Sequence, residues 1–258
     1  MTPVPARRGP EALEWMDAGI GTDAEVAEAY RELERVNRRL AGYRATLGPL
    51  ERHTVGRPAS ILDVAGGDGR FAERLVERLG TDREPATAWV LDLGRISNAI
   101  ASRRAPAHGR VVAVRGDARH LPFPDRSLDL VHTAAFFHHL GVDDAGRVLA
   151  EMCRVSRRLV LVNDLVRSWV AAGSIWVLGH LLSRNRLVRH DGPLSVLKAF
   201  RPEELLALAR AAGPEVAEFR WRLTRAFPYR MTLVGARVPK VRARWRGSPA
   251  DQVDGAPT

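Results

Sequence analysis

Ile61-Leu62-Asp63-Val64-Ala65-Gly66-Gly67-Asp68-Gly69 decides how the rest of this chain is read. Apolar residues run into an acid and then into a glycine-rich turn. Phe71, Leu75, Val76 and Leu79 follow at helical spacing. A strand, a tight turn and a helix are predicted in that order. This layout brings backbone N–H groups close to a nucleotide-like ligand, and glycine permits both the unusual φ angles and the close approach. Alone, the turn is ambiguous. Gly67-Asp68-Gly69-Arg70-Phe71-Ala72 also fits a dinucleotide fingerprint, with Asp92 placed where a ribose-binding acid belongs.

The pattern continues outward from this turn. Strands are predicted at 60–65, 87–92, 110–115, 128–134 and 157–163, and helices at 68–80, 95–104, 143–155 and 202–212. Short apolar runs alternating with helices indicate a parallel sheet covered on both faces. Val216–Leu223 and Arg230–Val238 add two strands, read as an antiparallel hairpin at the sheet edge. The expected fold is a doubly wound, mostly parallel seven-stranded α/β sheet of Rossmann-like type. Residues 1–50 form an N-terminal helical cap, with helices from residue 11 and Thr22 or Asp23 capping one of them. Residues 51–239 form the main domain, with a helical insertion at about 165–200. Residues 240–258 are rich in Arg, Gly, Pro and Asp and are expected to be a disordered basic tail.

Composition narrows the function. The chain has 258 residues, 45% hydrophobic and 27% charged, as in an ordinary globular protein. Its net charge of +10 invites a nucleic-acid reading. However, the arginines are spread among Glu and Asp on helix faces, and only Lys198 and Lys240 are lysines. No aromatic-basic interleaving marks an RNA surface, so a basic RNA-binding or RNA-methylating protein is the alternative of a different class. One cysteine, Cys153, excludes an internal disulfide and fits a reducing, cytoplasmic compartment. Trp169–Leu182 is the most apolar stretch but falls short of the roughly 20 residues of a bilayer span.

The third predicted strand leads into Gly116-Asp117-Ala118, then Leu121-Pro122-Phe123-Pro124-Asp125 and Ser127-Leu128-Asp129-Leu130-Val131. With the glycine turn and Asp92 before it, this order resembles the class I S-adenosylmethionine-dependent methyltransferases, in the branch of ubiquinone- and menaquinone-type enzymes. A hydride-transferring dehydrogenase has no reason to carry it. The resemblance covers residues 58–163. It implies S-adenosylmethionine as cofactor and no metal. Asp63 with Ala65, Gly66, Gly67 and Gly69 would hold the methionine end. Asp92, followed by Leu93, would bind the ribose, and Asp117 and Ala118 the adenine edge, while Thr133 and Ala134 would line the sulfonium side. Ala65 stands where the family has its first turn glycine. A methyl group there is tolerable at negative φ and crowded at positive φ.

Glu14-Trp15-Met16-Asp17, Val36-Asn37 through Gly42, Asn163-Asp164-Leu165, and Arg189 through Ser195 followed by Ala199-Phe200 widen the likeness. They are similar to methyltransferases associated with bacterial type III polyketide synthases. That implies a small aromatic acceptor, a polyketide-derived phenol or quinone methylated on oxygen, with carbon methylation of a phenolic, quinone or lipid-like acceptor as the alternative. A phenol must lose its proton for efficient O-methylation, and a histidine suits that task. His139 and His138, in Phe136-Phe137-His138-His139, are the candidate bases, with Asp143 and Asp144 as caps of the next helix. Asn37, Phe137, Arg167, Trp176 and His190 are the candidate acceptor contacts. The 165–200 segment is read either as an extra core helix or as a lid over that pocket, with His190-Asp191 also a possible turn.

Overall fold

The computed structural model describes residues 9, 12–39, 42–54, 59–81 and 83–238. The expected tail at 240–258 lies outside them. Seven strands form one sheet: β1 (Ser60–Val64), β2 (Thr87–Asp92), β3 (Val111–Arg115), β4 (Leu128–Ala134), β5 (Ser156–Leu165), β6 (Phe219–Ala226) and β7 (Arg230–Arg237), in the order β3-β2-β1-β4-β5-β7-β6. The first five are parallel, and β7 runs antiparallel to both β5 and β6. β1 has β2 on one side and β4 on the other, so the strand order reverses there. In such sheets the ligand crevice opens beyond the carboxyl ends at that switch point.

The strands read as continuous apolar runs because both faces are buried. Leu62, Leu91, Val131, Val160 and Val162 enter one core with Leu149 and Met152. Their neighbours Ile61, Val90, Leu130, Leu159 and Leu161 enter the other with Phe71 and Leu75. This is the period-2 alternation of side chains expressed on two covered faces. The covering helices are α1 (Asp23–Arg39), α2 (Gly42–Thr54), α3 (Arg70–Leu79), α4 (Arg95–His108), α5 (Val142–Val155), α6 (Trp169–Leu182), α7 (Arg186–Lys198), α8 (Pro202–Ala211) and α9 (Pro214–Ala217). α3 buries all four apolar residues that its sequence spacing marked.

Some expectations need correction. Residues 12–22 are not helical; Thr22 ends that stretch as one half of a reciprocal cap, accepting from Glu25 N while Glu25 Oε2 accepts from Thr22 N. Asp143 and Asp144 lie inside the first turn of α5, and Gly141 occupies the cap position without a side-chain bond. Their charges still favour the positive end of that helix. Pro214 starts a short helix, so the last hairpin begins at Phe219 rather than Val216. His190-Asp191 is not a turn but part of α7, where Asn185 caps the helix by accepting from Leu187 N. No helix among the described residues is long and apolar enough to cross a membrane.

Candidate active site

The glycine turn after β1 is shaped by close approaches. A Cβ at Gly66 would lie 2.8 Å from both Asp63 Oδ2 and Val90 Cγ1. Ala65 has φ 54° and Ala135, just past β4, has φ 53°. Both strand ends at the switch point therefore hold an alanine in the left-handed region, at a cost of roughly 1–2 kcal/mol each. Asp63 is buried. Its Oδ1 meets His132 Nδ1 at 3.1 Å, and its Oδ2 has no hydrogen-bond partner among the described residues. A buried, unsatisfied carboxylate oxygen facing a turn that excludes side chains is suited to a cationic or N–H ligand group.

Asp92 ends β2 beside this turn. Its carboxylate accepts from Gly67 N at 2.9 Å, Gly94 N at 2.8 Å and Ser97 Oγ at 2.6 Å. Burial pushes its pKa up against those bonds. Leu93 beside it is exposed. Asp117, after β3, is held below the usual carboxylate range by hydrogen bonds from Arg119. Tyr30 of α1 closes over the turn: a Cβ on Gly67 would be 2.9 Å from its Cε1. Burial drives the Tyr30 phenol pKa well up, helped by the charges of Asp92, Asp68 and Asp17.

The N-terminal segment that carries Asp17 builds a second cluster on a single 3-10 turn at Phe137–His139. The two histidines have different environments. His138 is buried, and Asp164 holds it twice, at its backbone N (2.9 Å) and at Nδ1 (2.7 Å). His139 is a quarter exposed, and its Nδ1 lies 2.5 Å from Asp17 Oδ2. Burial works against charge on His139, but the Asp17 hydrogen bond and the Glu14 and Asp17 carboxylates outweigh it and raise the pKa. Conversely, burial raises the Asp17 pKa, but the hydrogen bond and charge of His139 outweigh this and lower it. His139 Nε2 makes no hydrogen bond among the described residues.

Glu14, buried between the histidines, has Oε1 3.9 Å from His138 Nε2 and 3.7 Å from His139 Nδ1. Those spacings would suit a metal ion, but Lys198 Nζ already sits 3.2 Å from Oε1. The cluster carries its own cation. α7 also supplies Ser195, donating to Glu14 Oε2, and Asp191, accepting from Trp15 N and Met16 N, while His190 stacks on Trp15 at 4.0 Å.

Known proteins resemble this chain in sequence and in fold. Residues 61–158 match the methyltransferase domain family. A demethylmenaquinone methyltransferase from Deinococcus radiodurans is 34% identical over 177 residues, 60% of this chain and 68% of that protein. The chain belongs to the class I S-adenosylmethionine-dependent methyltransferases. A ubiquinone/menaquinone biosynthesis C-methyltransferase UbiE from Laribacter hongkongensis is 31% identical, over 46% of this chain and 48% of its own. The chain thus spans about half the length of that relative. The plantazolicin methyltransferase BamL, at 12% identity and TM-score 0.62, covers 83% of this chain with 90% of its own, and an Aquifex aeolicus methyltransferase, at 16% and 0.59, covers 84% with 100%. Both show the same fold. S-adenosylmethionine is the cofactor of this methyltransferase, and the orphaned Asp63 oxygen and the Gly66 cradle fit its ammonium and backbone-hugging methionine end.

The remaining candidates divide by position. In the methyltransferase, Gly69, Ala118 and Ala134 sit at the expected strand ends and turns. Thr133 is buried and donates to Val64 O at 2.7 Å. Phe137 is fully buried in the core. Arg167 is 5% exposed and donates to Ala199 O, after α7, and to Glu204 of α8. Asn37 accepts from Arg230 Nη2 at 2.8 Å. Trp176 stands half exposed on the outer side of α6, against His180. His190 belongs to the Trp15 contact.

Nothing in the sequence marks Tyr30, Ser97 or Lys198 as site residues, and Glu14, Asp17 and Asp164 stand out there only through the family likeness. The sequence signals for the cluster are the histidine pair at 138–139 and the co-occurrence of the 14–17, 163–165 and 189–195 motifs.

Proposed function

We propose that this methyltransferase alkylates a small phenolic or quinol acceptor, of the polyketide-derived kind, after His139 has removed the acceptor's proton. S-adenosylmethionine supplies a sulfonium methyl group already activated for in-line displacement. Asp63 Oδ2 and the Ala65–Gly69 backbone would hold its methionine end. Asp92, with Leu93 beside it, would take the ribose hydroxyls, Asp117 and Ala118 the adenine edge, and Ala134 would line the sulfonium side. The observation that carries the acceptor reading is the Asp17–His139 pair. It fixes Nδ1 as the bonded nitrogen and leaves Nε2 open to accept a proton. The raised pKa of His139 makes it a stronger base than free imidazole.

Loss of the phenolic proton enriches both the oxygen and the ring carbons. Transfer to oxygen is the first reading. Carbon methylation is the second, favoured by the names of the quinone C-methyltransferase relatives. A buried free thiol at Cys153 suits a cytoplasmic enzyme.

Phenols, alkylresorcinols, naphthols and quinols are offered with S-adenosylmethionine, and S-adenosylhomocysteine release is measured. NMR of the product identifies the methylated atom. Turnover of one of these classes, lost in His139→Ala with cofactor affinity retained, supports the reading. Activity confined to carboxylate, amine or RNA acceptors overturns it.

A further inference from the structure

Helix α6 is apolar around its whole circumference, yet only part of it is covered. Ala171 and Ala172 are buried against α7, with Ile175, Val196 and Tyr229 packed around them. Trp169, Val170, Trp176, Val177, Leu181 and Leu182 all face outward, Leu181 at 74% and Leu182 at 80% exposure. A helix apolar on all sides is normally enclosed, and a contiguous exposed apolar patch marks a contact surface. The patch extends beyond the helix. Tyr229 Oη lies 3.4 Å from Ser174 Oγ, which ties the β6–β7 turn to α6, and Phe227 in that turn is 89% exposed.

The segment that carries the patch is basic at its surface. Between Ser168 and Arg201 the only acidic residue is Asp191, which is buried and bonded to Trp15 N and Met16 N. Arg184 follows α6, and Arg225 precedes Phe227. Both are exposed, and neither forms an ion pair among the described residues. Trp169 and Trp176 are two helical turns apart on one side of α6. Tryptophan at that spacing, above an aliphatic strip with arginine at its rim, suits the boundary between lipid headgroups and acyl chains. The 14 residues of α6 reach only ~21 Å, less than the ~30 Å hydrocarbon core, so the helix can lie in the interface and not span it. A two-fold contact between copies fits less well. It would set like-charged rims together, with no exposed acid in this segment to pair them.

We propose that α6 and the β6–β7 turn form a docking face for an anionic lipid bilayer. The apolar strip enters the headgroup layer, and Arg184 and Arg225 meet anionic headgroups. The face is independent of which acceptor the enzyme uses.

The test is sedimentation of the full chain with phosphatidylcholine vesicles, with and without phosphatidylglycerol. Binding should be at least about tenfold tighter to the phosphatidylglycerol vesicles and should weaken with salt. Tryptophan emission should shift to the blue on binding. Leu181→Ser/Leu182→Ser should lose binding to both vesicles, and Arg184→Glu/Arg225→Glu should lose the preference for anionic lipid. Both variants should keep wild-type affinity for S-adenosylhomocysteine, which shows that they are folded. The proposal fails if the chain stays in the supernatant with anionic vesicles, if neither variant alters binding, or if ultracentrifugation shows a dimer that the Leu181/Leu182 variant dissociates while lipid binding is unchanged.

Discussion

Asp17 Oδ2 and His139 Nδ1 lie 2.5 Å apart, joining the irregular N-terminal segment to the turn after β4. The contact sets both the tautomer and the basicity of the imidazole. In Asp17→Asn the carboxylate is gone, and the His139 pKa falls. The acidic limb of the activity–pH profile should move to lower pH while kcat drops. Cofactor affinity should hold. An unmoved limb would show that His139 is not the titrating group.

The two histidines should fail differently. His139→Ala should lower turnover by about 10²–10⁴-fold in a folded protein. His138→Ala takes the imidazole from the fully buried Asp164 carboxylate, which keeps only the backbone N–H groups of His138 and Leu165, and should destabilise by about 1–3 kcal/mol. Urea melts of both variants, read beside their turnover, check the division. Equal stability of the two would count against it.

The same pair predicts a stability window. The His139 pKa is raised on folding, so its contribution is complete below its unfolded value near 6.5 and is lost as pH rises through the folded value. The Asp17 pKa is lowered, so its contribution is present above its unfolded value near 3.8 and is lost as pH falls through the folded value. The Asp17–His139 coupling in a double-mutant cycle should peak between these limits and shrink on either side. Chemical melts across pH measure it.

Ala65→Gly should relieve the left-handed strain of φ 54°. The relief of roughly 1–2 kcal/mol is offset by ~0.5–1 kcal/mol of added backbone freedom. A thermal melt should therefore show a neutral to stabilising change of about 1 kcal/mol. Gly66→Ala should do the opposite, because its methyl meets Asp63 and Val90 at 2.8 Å. It should lose both stability and cofactor affinity.

Asp92→Ala should weaken S-adenosylhomocysteine binding, each charge-assisted bond to a hydroxyl being worth about 1.5–3 kcal/mol before water compensates. Calorimetry reads this directly. Unchanged affinity in a folded variant would remove Asp92 from the ribose site.

The sheet and the cofactor turn were legible because their signals are local. Residues 61–64 bury alternate side chains in two cores, and the glycines follow at once. The acceptor side was not legible in the same way. Glu14 meets Lys198, Asp17 meets His139 and Asp164 meets His138, yet no short-range period connects these positions. Histidine 139 and histidine 138 are neighbours with the same side chain, and only the folded surroundings separate them. α6 read as apolar in the sequence, but which side of it stays bare depends on where α7 and Tyr229 pack.

Glu14 and Asp17 stand outside the strand–turn–helix units that carry the cofactor motifs. The acids that touch or flank His139 thus have addresses along the chain separate from the cofactor motifs. Changes within 14–17 and 189–198 can retool the acceptor side without rewriting the nucleoside cradle, so a new substrate can be acquired while the donor chemistry is inherited intact.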